Sequence, residues 1–185
     1  MTYKIYDRNW AEELFRRGKL PKAVFFWGHK RKNKNEISKT CFSQWYASGF
    51  VVDGVEYFTA EHWMMAEKAR LFNAPDILEK ILNHKNPGAV KAYGRQVLGF
   101  KQDVWDQHKY DIAVKGNHYK FSQNKELGDF LRATNKRLLV EASPVDSVWG
   151  IGLAVDNKAC ENPLLWKGEN HLGFALMSVR DILSA

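Results

Sequence analysis

Cysteine is scarce. Cys41 and Cys160 are the two in 185 residues, far apart, with no CxxC spacing and no histidine-rich partner segment, so neither a disulfide framework nor a thiolate zinc site is expected. Long apolar runs are missing too. No stretch approaches the roughly 18 consecutive apolar residues of a membrane span, and Met1–Trp10 lacks the charged-then-apolar order of a secretory signal. A soluble, cytoplasmic protein with no membrane partner is expected. No Ser/Gly/Pro linker or internal repeat divides the sequence, and a single domain over residues 1–185 follows from that. Three catalytic signatures are absent as well. Glu61-His62 lacks HExxH spacing, and His84, His108, His118 and His171 form no ligand ladder, so no metal is expected. Ser43 and Ser143 sit in no GxSxG elbow. A Gly-rich phosphate fingerprint and βαβ alternation are also wanting, which argues against a doubly wound fold, and no cofactor is implied.

What the chain does have is a globular balance, with 45% hydrophobic and 26% charged residues, enough for a real core. Seven Trp, seven Tyr and eleven Phe can fill that core or stack on planar bases. The net charge of +7 is uneven: residues 1–40 hold 11 Lys/Arg against 4 Asp/Glu, and residues 41–185 hold 17 of each. The run His29-Lys30-Arg31-Lys32-Asn33-Lys34 can attract phosphates or nucleic acid by charge, or be a solvated loop.

Helical signals dominate. Thr59 is placed to cap a helix through Phe72, and Pro75 opens a second with an Ile77, Leu78, Ile81, Leu82 stripe that ends over Asn83–Gly88. A third begins at Pro87 and ends by Gly99. A fourth runs through Asp103–Phe121 with Trp105, His108, Ile112 and Tyr119 near one face. A fifth follows Ser122 through Leu131, and the last runs from about Asn170 through Leu183. Extended pieces fit Ala23–Trp27, Gly49–Tyr57 and Arg137–Glu141, the second being a hairpin about Asp53-Gly54. The fold class expected is α+β, mainly helical, with a small β-sheet.

Four segments can carry chemistry. Glu61 and Lys68, seven apart on one helix, differ by only about 20° in direction and can bring a carboxylate and an amine to one face, or form an exposed charged face. The stretch Glu141–Gly152 runs from a strand end into a loop holding Asp146 and Trp149, where functional groups are commonly displayed. Gly150 and Gly152 would let backbone approach a ligand. Phe25–His29, with Trp27, Gly28 and His29, and Phe42–Tyr46, with Ser43 and Trp45, are aromatic segments that can line a slot or fill core. Asn170 opens the last helix, as a plain cap or beside N–H groups suited to phosphate oxygens.

The order of these motifs resembles one family. The Phe42–Tyr46 segment, Glu61-His62 with Met65, Lys68 and Ala69, then Trp105, Lys120-Phe121, Glu141–Gly152, and Gly168–Arg180 are together similar to the YbiA-like or NADAR family over about residues 24–183, leaving residues 1–23 as a basic extension. Two places depart from its pattern: Cys41-Phe42-Ser43-Gln44-Trp45 stands for a Leu-Ser-Asn-type stretch, and Met65 for a frequent glutamine. The resemblance implies a compact, mainly helical YbiA-like domain and an N-glycosidase. It implies as substrates either phosphorylated ribosylamino-pyrimidines of early riboflavin synthesis or ADP-ribose carried on guanine bases of nucleic acid. By it, Glu61, Lys68, Trp105, Asp146 and Trp149 match the family's motif positions; with the segments above, Glu61, Lys68 and Asp146 are expected to be catalytic, and Trp27, Gly28, His29, Ser43, Trp45, Trp105, Trp149, Gly150 and Asn170 to bind substrate.

The chemistry agrees. Breaking a ribose C1–N bond develops oxocarbenium character that a carboxylate can stabilise, while an acid or base serves the leaving nitrogen and the water. Glu61 and Asp146 can share those roles. Lys68 can instead exchange with a ring-opened imine. Two rival classes stay open: a non-catalytic module binding ADP-ribose or nucleotides, and a nucleic-acid binder held by its N-terminal charge, whose affinity would fall steeply with salt.

Overall fold

The computed structural model describes residues 2–30, 33 and 36–185. Arg31, Lys32 and Lys34 of the basic run lie outside the described residues. The chain divides into two compact units, residues 44–125 and a discontinuous one built from residues 1–43 and 126–185.

The discontinuous unit holds α1 (Arg8–Arg16), β1 (Ala23–Phe26), β4 (Leu138–Glu141) and α7 (His171–Ser184), joined by short 3-10 turns, with α6 (Lys125–Arg132) leading into it. β1 and β4 pair in parallel, from Ala23 against Leu138 to Phe26 against Glu141. Leu138, Leu139 and Val140 are all buried, the continuous apolar run of a strand covered on both faces. α7 lies so close on β4 that a Cβ on Gly173 would stand 2.1 Å from the Leu139 carbonyl oxygen. Ser178 Oγ donates to the Lys4 carbonyl and Tyr6 Oη to Asp181, tying the residues ahead of α1 to α7. α1 is capped by Asp7, whose Oδ1 accepts the Trp10 N–H at 2.7 Å.

The contiguous unit holds the hairpin β2 (Phe50–Val52) and β3 (Val55–Tyr57), then α2 (Ala60–Leu71), α3 (Pro75–Leu82), α4 (Pro87–Gly94) and α5 (Gln102–Gln123). Asp53 and Gly54, both at positive φ (49° and 78°), make the tight turn that the hairpin twist prefers. α2 is central. Its residues Ala60–Ala66 are buried on every side, packed by α3, α4 and α5. Thr59 caps it, accepting the His62 N–H, and the His62 ring is held between Thr59 Oγ1 and the His84 carbonyl, each at 2.8 Å. Two glycines admit its side chains, Gly94 beneath Met65 and Gly116 beneath Trp63.

The mainly helical α+β class is as expected, with differences in detail. The β component is two separate two-stranded pairs rather than one sheet. α4 ends at Gly94, and Gly99, at φ 69°, belongs to the loop before α5. His108 is exposed while Trp105 and Ile112 are buried, because the first turns of α5 meet the core through Trp105 only. α1 was not anticipated.

Candidate active site

On α2 the Thr59 cap fixes the first turn and so places Glu61. Its side chain is 2% exposed, and its N–H donates to the Gln44 carbonyl at 3.0 Å. Two turns on, the Lys68 ammonium sits 4.2 Å from the Phe100 ring centroid and 5.7 Å from that of Trp105, which is itself buried. Among the described residues no carboxylate lies within ion-pair distance of Lys68, so the Glu61–Lys68 pair is not a salt bridge. Burial, reinforced by the nearby Arg95 guanidinium, pulls the Lys68 amine below the usual lysine range. Arg95 arrives because Gly94 packs on Met65, one turn before Lys68.

Trp45 is half-buried in the same unit, its ring 3.4 Å from where a Cβ on Gly88 would lie and 6.0 Å from the Lys91 ammonium. Lys120 on α5 is wholly buried beside the Tyr46 and Phe121 rings. The sequence offered a trace of that: Asn117, Lys120 and Phe121 share the stripe that also buries Ala113. Phe100, Arg95 and Lys120 were given no role from sequence.

In the discontinuous unit, β4 delivers the Glu141–Gly152 loop. Asp146 Oδ1 accepts the N–H groups of Val148 and Trp149 at 2.9 and 2.8 Å, a turn cap that sets the Trp149 backbone. The Trp149 ring stands edge-on to His171. Gly150 does give close approach, but to the chain itself: a Cβ there would meet the carbonyls of Glu141 and Asp146 at 2.8 and 3.0 Å. Asn170 occupies the cap position of α7 in a left-handed conformation without capping it. Its amide instead donates to Leu139 O and accepts from Glu141 N–H, both at 2.9 Å, and no part of it is exposed. The N–H groups of Asn170, His171 and Leu172 all donate to carbonyls of residues 148–150, so those amides at the start of α7 are not open to a phosphate. Trp27 is 56% exposed at the end of β1, followed by Gly28 at φ 79° and a half-exposed His29. Ser43 is half-buried where a 3-10 turn ends.

Among the described residues no three His, Cys, Asp or Glu side chains gather as a metal would require. No described helix is long and apolar enough to cross a membrane.

The NADAR domain family matches residues 25–184. The chain belongs to the NADAR family. It is 41% identical over 165 residues to N-glycosidase R617 of Acanthamoeba polyphaga mimivirus, covering 86% of this chain and 95% of that protein. It is 31% identical to N-glycosidase YbiA of Escherichia coli over 77% of this chain and 81% of that one. Protein irg-1 of Caenorhabditis elegans is 37% identical over 77% of this chain and 74% of its own. The NMR structure of E. coli YbiA superposes with a TM-score of 0.69 at 25% identity, covering 89% and 86% of the two chains. This NADAR chain is by these likenesses an N-glycosyl hydrolase with the YbiA fold.

Proposed function

We propose that the chain hydrolyses the ribose C1–N bond of phosphorylated ribosylamino-pyrimidines, with Lys68 as nucleophile and Glu61 as acid and base. The observation that carries this reading is Lys68 itself: an amine between Phe100 and Trp105, without a carboxylate partner among the described residues, drawn toward its neutral form. A neutral amine can add to C1 of the ring-opened ribosylimine. The pyrimidine amine then leaves with a proton from Glu61, and water, deprotonated by Glu61, releases the aldehyde sugar phosphate and frees Lys68. Trp105 forms a wall for sugar or base. Asp146, through its cap on residues 148 and 149, positions Trp149.

Borohydride reduction during turnover is the test. A reduced sugar adduct on Lys68 is expected by mass spectrometry, and Glu61→Gln should lower kcat by about 100- to 1000-fold with the fold intact. No adduct, together with full activity in Lys68→Arg, would remove the covalent role. The assay panel includes ADP-ribosyl guanine in nucleic acid; release of ADP-ribose in preference to ribose 5-phosphate would move the substrate to that class.

A further inference from the structure

The buried Asn170 amide is spent on partners, holding two groups of β4, whereas the buried Asn117 amide donates to the Ala113 carbonyl and leaves its Oδ1 without a partner among the described residues. Gln44 differs. It is 6% exposed, its Oε1 is wholly buried, and its side chain has no hydrogen-bond partner among the described residues. A desolvated carbonyl left so costs as much as a lost hydrogen bond, and such a group calls for a reason. Its position supplies one. Gln44 stands between Ser43 and Trp45 in the chain, and its backbone carbonyl is the acceptor for the Glu61 N–H at 3.0 Å, so its main chain is anchored at the turn of α2 that carries the acid.

We propose that the Gln44 amide is a specificity-determining contact: its Oε1 accepts a hydrogen bond from a donor on the bound ribosylamine. The inference rests on the function proposed above. A carboxamide suits the place, because it offers a strong acceptor without a second negative charge beside Glu61. The donor is either an N–H of the base or a ribose hydroxyl. In both cases a substrate lacking it would leave Oε1 unpaired, which is how a polar site rejects an analogue.

The experiment compares wild type with Gln44→Met, close to isosteric and apolar. Substrates are the ribosylamino-pyrimidine, its analogue without the base amine donor, and its 2-deoxyribosyl analogue. The melting temperature should hold or rise, since an unpaired buried carbonyl is removed. kcat/KM for the full substrate should fall by roughly tenfold or more, mainly through KM. One analogue should already be that poor with wild type and lose nothing further in the variant, which names the donor. Unchanged kinetics in the variant would overturn the proposal, the carbonyl then being met by a buried water. So would a lowered melting temperature with intact kinetics in the folded fraction, or equal further losses with both analogues. A wild type that cleaves no ribosylamine would remove the functional reading and this contact together; an active wild type matched by Gln44→Met would remove the contact alone.

Discussion

At Lys68 two causes act in one direction, burial first and the Arg95 charge second, and both favour the neutral amine. Imine chemistry needs that form. Activity should therefore rise as pH climbs through the Lys68 pKa in the folded protein, which lies below the ordinary 10.5 of a lysine. Arg95→Gln removes the repulsion and leaves the burial, so the pKa moves part of the way back up. The rising limb of kcat/KM against pH should shift to higher pH in that variant, and an unmoved limb would show that the Lys68 amine does not set it. The acid and the amine were legible in the sequence, because Thr59 marks the start of α2 and a spacing of seven returns to the same helix face. Arg95, Phe100 and the orphaned carbonyl of Gln44 were not. Their significance comes from neighbours on other elements, which no local spacing encodes.

Among the elements, α2 and α5 meet through a glycine. A Cβ on Gly116 would lie 2.3 Å from Trp63 Cδ1, and the Trp63 ring has little freedom to yield, since its Nε1–H donates to the Ile112 carbonyl at 3.0 Å. Helix propensity alone would reward Gly116→Ala by up to about 1 kcal/mol. Overpacking of a rigid ring costs about 1–3 kcal/mol, and we expect the clash to win, with a lowered urea midpoint and an unchanged m-value. A raised midpoint would show that Trp63 can give way. Six of the seven helices among the described residues were legible from caps and periodicity; α2, although it lacks an apolar stripe because it is buried all round, was found by Thr59. The fifth predicted helix appears as the shorter α6. α1 was hidden because it buries only Ala11 fully and its RNWAEELFR composition reads as a charged segment. The parallel partnership of β1 and β4 left no trace, since four-residue strands so far apart in sequence carry no mutual register signal.

For the whole molecule, the relevant fact is that one unit is contiguous and the other is not. Contacts local in sequence cost less loop-closure entropy and form sooner. Pulsed hydrogen exchange during refolding should therefore protect the amides of α2 and α5 before those of β1 and β4; simultaneous protection in both units would refute that order. The pairing of Ala23 with Leu138 has a further meaning on the ribosome. About 115 residues must be added between them, which at about 5–20 residues per second keeps β1 waiting for roughly 6–23 s. During that interval the nascent chain carries Ala23–Phe26 as an apolar edge without its mate. The contiguous 44–125 segment can already be complete, which makes Ala23–Phe26 the place where a chaperone would find this chain.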